Sequence, residues 1–233
     1  MTACAQCDGF PRSEWSVLDA AGRALLQRSA LCQAFDQGQT IFAQGDPCCG
    51  IHCVASGTVI LRRRPVCGDA LVLSIRHAGH TLGYRSFFAR ESHSSSAEAA
   101  TPCQVCFVEQ PAVDALINSQ PALALAFLRR VASDLRSAED ARVVSQRAVR
   151  CRLAALILSL RHEYGCVDDD GTLVVKLPIC RRDLAASIAA RPESVARALT
   201  QLVRDGVLEV DRRTLRITDL DALFDELSAS GAL

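Results

Sequence analysis

The stretch that decides the fold is residues 180–218, CRRDLAASIAARPESVARALTQLVRDGVLEVDRRTLRIT. Leu184 and Ile188 stand four apart, as the buried side of a short helix requires. The pattern breaks at Ala190–Arg191. Pro192 then suits the first turn of a new helix, where its missing N–H costs nothing. Val195, Leu199, Leu202 and Val203 give that second helix a buried face, and Gly206 ends it. VLEVDRRTLRIT, residues 207–218, reads as a β-hairpin. Helix, tight turn, helix and hairpin together make a winged helix-turn-helix.

Off its buried face the second helix presents Glu193, Arg197, Gln201 and Arg204. Glu193 and Arg197 are one turn apart in the N-terminal half, the half that enters the major groove in helix-turn-helix proteins. An arginine can bond guanine O6 and N7 together, and a glutamate can accept from cytosine N4. Arg204 and the wing arginines Arg212 and Arg213 are placed for phosphates, and Arg191 opens the same helix. The plainer reading is an i,i+4 Glu–Arg pair on a solvated helix. The surrounding helix-turn-helix and wing favour DNA contact. Net charge is zero, with 26 basic and 26 acidic residues. The distribution is uneven: between Lys176 and Arg216 nine basic residues face five acidic ones, a local excess of the sign that DNA attracts.

Working upstream, residues 172–178 read as a strand and residues 148–165 as a helix with Val149, Leu153, Leu156, Ile157 and Leu160 on its buried face. From Pro121 a longer helix places Ala124, Leu128, Val131, Leu135 and Ala138 at spacings of four and three, a coiled-coil-like seam. A two-fold dimer would bury that seam most simply; packing on the chain's own N-terminal domain is the alternative. Residues 30–110 have another period. Ile51, Cys53 and Ala55 alternate, as do Leu71, Leu73 and Ile75, between glycines at 38, 45, 50, 57, 79 and 83. This reads as a small β-roll or jelly roll ending in CQVCFV, residues 103–108, with residues 90–101 as a polar loop or hairpin tip.

The expected organisation is α+β: a β-roll sensor domain over 1–115 carrying an N-terminal cysteine segment, a dimerisation helix over 116–146 and a winged helix-turn-helix over 147–233. With 49% apolar and 22% charged residues the chain is a folding sequence, not a disordered one. No apolar run reaches the roughly 18 residues of a membrane span, and no charged segment followed by an apolar stretch marks a secretory signal. A cytoplasmic location follows as an expectation. The 12 cysteines are then expected as thiols rather than structural disulfides, most of them small buried hydrophobes. A cupin-like enzyme would need clustered His and Glu ligands; His52, His77 and His80 show no such set, so no enzymatic activity is expected.

The whole order resembles the family of the catabolite activator protein and the fumarate–nitrate reduction regulator. The resemblance rests on GQTIFAQGD (38–46), VASGTVIL (54–61), AGHTLGY (78–84) and residues 182–210. It implies a homodimeric transcription regulator, probing double-stranded DNA with Glu193 and Arg197 and working with RNA polymerase, more often as an activator. Ala196 stands where the fumarate–nitrate type usually has serine. For a cyclic nucleotide the resemblance predicts a ribose-binding glutamate where Tyr84 stands, and an Arg-Ser pair near Ser94 and Ser95. Arg85 and Arg90 are out of phase, so no guanidinium is placed for a cyclic phosphate, which argues against that ligand.

The resemblance also bears on Cys4 and Cys7. Sensors of the fumarate–nitrate type hold a [4Fe–4S] cluster on N-terminal cysteines plus one on the roll, and here Cys4, Cys7 and Cys103 match three of the four. Thiolates are the proper ligands for such a cluster. A fourth would come from Cys32, Cys49 or Cys106, with Cys48, Cys53 and Asp8 as further candidates. Cys103 and Cys106 are three apart on a strand and therefore face opposite sides unless a bulge intervenes. Open alternatives are a thiol switch, bridging Cys4 to Cys7 or one of them to Cys103, a haem sensor using His77 or His80, and a regulator without effector.

Overall fold

Short alternating strands need a second apolar layer, and here β3 and β8 are covered from both sides. The computed structural model describes Cys7 and residues 9–228; the candidate ligands Cys4 and Asp8 lie outside the described residues. The chain forms two compact units, one ending at Arg136 and one beginning at Ser137.

The first unit opens with 3-10 turns at Phe10–Arg12 and Glu14–Val17 and helix α1, Ala20–Ser29. Asp19 caps α1, its Oδ1 accepting from Gly22 N at 2.8 Å. Strands β1 (Ala30–Phe35), β2 (Thr40–Phe42), β3 (Gly50–Ser56), β4 (Thr58–Arg63), β5 (Leu71–His77) and β6 (Thr81–Leu82) follow. Then come α2 (Tyr84–Ala89), β7 (Ser96–Ala99), β8 (Cys103–Glu109), α3 (Gln110–Ser119) and the long α4 (Pro121–Ser145), which belongs to this unit as far as Arg136. Two four-stranded antiparallel sheets result, ordered β1-β8-β3-β6 and β2-β7-β4-β5. Gly57 turns β3 into β4 at φ +81°, and a Cβ there would stand 2.4 Å from the Pro102 carbonyl, so only glycine fits.

Alternation along β3 and β8 splits the core. Val54, Val105 and Cys103 turn inward to Phe42, Val59, Leu61 and Leu82 between the sheets. Ile51, Cys53, Ala55, Cys106 and Val108 turn outward, where Trp15, Leu26, Val113, Leu116, Leu123 and Phe127 cover them. The faces of α4 are split likewise. Leu123 and Phe127 are buried on the roll, whereas Leu128 and Leu135 remain 63% and 60% exposed within this single chain.

The structure departs from the sequence reading in two places in this unit. Residues 96–99, expected as part of a polar loop, are β7, paired with both β2 and β4. Its Ala97 and Ala99 are small enough to fill the inter-sheet core without looking like a strand. And the expectation that the cysteines stay unbridged fails at one pair: Cys32 of β1 and Cys106 of β8 form a disulfide. Antiparallel register sets them directly opposite each other.

The second unit contains α5 (Val149–Tyr164), β9 (Gly165–Val167), β10 (Leu173–Lys176), α6 (Arg181–Ser187), α7 (Pro192–Arg204), β11 (Leu208–Asp211), β12 (Thr214–Ile217) and α8 (Leu220–Ser228). The four strands form one sheet, β11-β12-β10-β9. Gly165 is the C-cap of α5, its backbone N–H donating to the Arg161 carbonyl, and with its extended backbone it also starts β9; a Cβ there would meet the Arg161 carbonyl at 2.2 Å. Ile157, Leu160, Leu184, Leu199, Leu202, Leu215 and Leu223 are among its buried residues. The expected α+β architecture, β-roll then long helix then winged helix-turn-helix, is the one observed.

Candidate nucleic-acid interface and sensory core

In the second unit Val195, Ala198, Leu199 and Leu202 bury one side of α7, leaving Glu193, Arg197, Gln201 and Arg204 exposed along the other. Val203, expected to help bury the helix, is 42% exposed and flanks that stripe. Arg191 precedes Pro192 as N-cap, and it too is exposed. Arg197 Nη2 donates to Ser194 Oγ at 3.2 Å, a bond within its own helix that leaves the guanidinium at the surface. The turn between α6 and α7 is braced from α5. Arg152 Nη1 donates to the Ile188 carbonyl and, at 3.2 Å, to that of Ala189, whose φ is +48°. Arg150 at the start of α5 pairs with Asp205 and Glu226, each at 2.5 Å.

The wing is the β11–β12 hairpin, with Arg212 at φ +51° in its turn and both Arg212 and Arg213 exposed. Arg216 behaves differently from the rest of the basic stretch. It pairs with Asp168 and, at 2.7 Å, with Asp170, with Glu209 at 3.7 Å. It therefore belongs to a surface ion-pair network and not to the free cationic face.

In the first unit, Phe42, His52, His93 and Phe107 line the inner wall of the roll; the Phe42 and His93 rings stack at 3.9 Å. Burial, and then the neighbouring His93, push His52 down to about 4. Its Nδ1 is buried without a hydrogen-bond partner. Beside it, Arg76, Tyr84, Arg85, His93, Ser94 and Ser95 border a cavity of only about 20 Å³, the room of about one water. Arg76 is not free to meet a phosphate there: its Nη2 donates to Asp134 Oδ2 of α4 at 3.0 Å.

That bond belongs to a buried charged network. The Tyr84 hydroxyl also donates to Asp134, Arg130 lies 3.4 Å from Asp134 and 3.8 Å from Glu14, and Thr81 donates to Glu14. Burial works against the Asp134 carboxylate, but Arg76, Tyr84 and Arg130 hold it below the usual range. His80 is pushed down to about 3 by burial and by Arg130, His77 and Arg76. His77 and His80 pack on each other with ring centres 4.1 Å apart. Nothing in the sequence marked this network, because its members come from the 3-10 turn, β5, β6, α2 and α4.

Among the described residues the candidate cluster ligands are not brought together. Cys103 faces the inter-sheet core, where burial raises its thiol pKa. Cys7 packs against the opposite, helix-covered face of that sheet. Cys106 and Cys32 are on the Cys7 side, tied to one another, and Cys49 is exposed at the turn before β3. Among the described residues no group of three or more His, Cys, Asp or Glu side chains is set to hold a metal ion. A four-thiolate cage containing both Cys7 and Cys103 does not fit this sheet, because the sheet stands between them. No helix among the described residues is long and apolar enough to cross a membrane.

A β-roll, a long helix and a winged helix with an exposed basic recognition face define a DNA-binding regulator. Residues 32–120 match the cyclic nucleotide-binding domain and residues 151–225 the Crp-like helix-turn-helix domain. The chain belongs to the CRP/FNR family of transcription regulators, and its relatives are regulators, not enzymes. It is 24% identical over 216 residues to the transcriptional regulatory protein btr of Bordetella pertussis, covering 92% of this chain and 86% of that one. It is 26% identical over 191 residues to a CRP-like cAMP-activated global transcriptional regulator of Mycobacterium tuberculosis, covering 81% and 84%. The solved structure of FixK2 from Bradyrhizobium japonicum shares the fold, with a TM-score of 0.76 at 22% identity over 84% of this chain and 96% of that one.

Proposed function

We propose that this protein is a homodimeric, cytoplasmic transcription regulator that reads double-stranded DNA with α7 and responds to redox state through its cysteine thiols. The observation that carries the reading is the single exposed stripe of Glu193, Arg197, Gln201 and Arg204 on a helix braced by its own domain. Glu193 and Arg197 meet base edges, with Gln201 beside them. Arg191, Arg204, Arg212 and Arg213 hold phosphates and fix the register. The apolar stripe of Leu128, Val131 and Leu135 is the dimer seam, and a dimer places two recognition helices on one duplex. By family likeness the bound dimer acts with RNA polymerase, as an activator.

Thiol chemistry is favoured over the other sensing modes by three observations. The small cavity and the engaged Arg76 disfavour a cyclic nucleotide. The sheet standing between Cys7 and Cys103 disfavours an iron–sulfur cluster on those two residues. His77 and His80 are occupied with each other and with a cationic surround, which disfavours haem. Selection of bound duplexes from a random-sequence library tests the DNA reading. Glu193→Ala and Arg197→Ala are each expected to lose about 1–3 kcal/mol of affinity for the selected sequence while the fold is kept. Full affinity in both variants removes α7 as the reading helix.

A further inference from the structure

The disulfide does not stand alone. β8 is the second strand of its sheet, with β1 on one side and β3 on the other. Cys106 is in register with Cys32 across the first ladder and with Cys53 across the second. Three cysteines therefore form one row across three strands, all on the helix-covered face. Cys106, in the middle, is fully buried, and Cys53 is buried beside it as a thiol. Cys32 is half-buried on the edge strand, the least enclosed residue of the row. Opposite residues on adjacent antiparallel strands lie about 4.5–5.5 Å apart at Cα, a span that a disulfide can bridge with either neighbour.

We propose that Cys32, Cys106 and Cys53 form a three-thiol redox site that exchanges with low-molecular-weight thiols and disulfides through Cys32 and sets the packing of the helices on this face. This deepens the thiol-based reading above and rests on it. In a reducing compartment a bridge is regulatory or catalytic more often than structural. Closure is balanced with a disulfide RSSR as the oxidant. The Cys32 thiolate attacks RSSR, forming a Cys32–S–S–R bond and releasing RS⁻. The Cys106 thiolate then attacks Cys32 Sγ, forming the protein bridge and releasing the second RS⁻. Two electrons and two thiol protons have passed from the protein to two RSH. Opening is the reverse, with two RSH consumed and RSSR formed. Attack of a Cys53 thiolate on Cys106 Sγ expels Cys32 as thiolate, moving the bridge one strand inward with no net oxidation.

The site is wired into the fold at both ends. β1 is the direct continuation of α1, and β8 runs through Glu109 into α3. The same cluster holds Cys7, Trp15 and Phe127 of α4, the last two in edge-to-face contact at 5.4 Å. Trp15 is the chain's single tryptophan, so its emission reports this face without a label.

The test equilibrates the full chain in buffers of reduced and oxidised glutathione, approached from both directions, and maps alkylated cysteines by mass spectrometry. Trp15 emission and affinity for the library-selected duplex are read on the same samples. Cys32 and Cys106 are expected to gain and lose protection together, at the same glutathione ratio from either side, with a shift in Trp15 emission and about a tenfold change in DNA affinity. Cys103→Ser should leave that transition in place, and Cys32→Ser should move the bridge to Cys53–Cys106. Continued alkylation of Cys32 and Cys106 in fully oxidised glutathione overturns the site. So does a bridge that excess reduced glutathione never opens, or a transition that moves neither Trp15 emission nor DNA affinity. In Cys32→Ser, glutathione on Cys106 instead of a second bridge removes Cys53 from it. Bridge mapping and emission need no DNA, so a failure of DNA reading is seen separately.

Discussion

Arg76 of β5 and Asp134 of α4 meet at 3.0 Å with both side chains largely withdrawn from water. Their partners Tyr84, Arg130, Glu14 and Thr81 draw the N-terminal turn, the roll and the long helix into one polar junction. A buried pair of this kind adds little net stability over an apolar pair of the same volume, but removing one partner strands the other charge. Asp134→Ala is therefore expected to cost the first unit about 3 kcal/mol in urea unfolding. The double variant Arg76→Met, Asp134→Leu should regain most of that. Equal loss in the single and double variants would mean that the site's shape matters and its charge balance does not.

The histidines predict acid sensitivity in a defined window. His52 and His80 are held down to about 4 and about 3, against 6.5 for a free imidazole. Between pH 6.5 and about 4 the unfolded chain takes up protons at these residues and the folded chain does not. Stability is then complete above pH 6.5 and falls as the pH is lowered through the window, by about 1.4 kcal/mol per pH unit for each histidine. His93, also depressed by burial, adds in the same direction. Asp134 stays out of this window, because its pKa is lowered from 3.8. Urea midpoints at pH 7.5, 6 and 5 should show the slope in the wild type and a shallower one in His52→Gln. A pH-independent midpoint across this range would contradict the buried neutral imidazoles.

Among the basic residues of the DNA-binding unit, the structure separates free from committed charge. Arg204 and Arg212 are exposed on the helix and wing, whereas Arg216 is held by Asp168, Asp170 and Glu209. Arg204→Gln and Arg212→Gln should weaken all duplexes alike and reduce the salt dependence of binding by about one ion each. Arg216→Gln should leave that dependence unchanged. Titrations over a range of salt concentrations distinguish these outcomes, and a reduced slope for Arg216→Gln would place it on the phosphates after all.

Much of this was legible in the residue pattern, and the failures have physical causes. Alternation at Ile51, Cys53 and Ala55 marks one face of β3 correctly, and the opposite facing of Cys103 and Cys106 follows from the same period. Residues 96–99 hide a central strand because alanines that fill a narrow inter-sheet gap carry no strong apolar signal. The Cys32–Cys106 bridge, with a sequence separation of 74, depends on register between distant strands, which composition does not encode. The Arg76–Asp134 junction and the neutralisation of Arg216 are likewise products of tertiary placement. The exposed stripe of α7 was readable because a helix's 3.6-residue period fixes which residues can leave the core.

The last prediction concerns the two faces of α4. Leu123 and Phe127 are buried on the chain's own roll, whereas Leu128, Val131 and Leu135 face outward. A charge at Leu135 meets water in a monomer and an apolar partner face in a dimer, where it is stranded. Leu135→Asp should therefore raise the dimer Kd by about a hundredfold or more, an effect of roughly 3 kcal/mol, without lowering the monomer's urea midpoint. Leu123→Asp, which puts the charge into the roll's own core, should instead unfold the first unit. Sedimentation equilibrium and urea unfolding on the two variants separate these effects. Dimers of unchanged strength in Leu135→Asp would mean that the outward stripe is not the seam, and the homodimer would then need another surface.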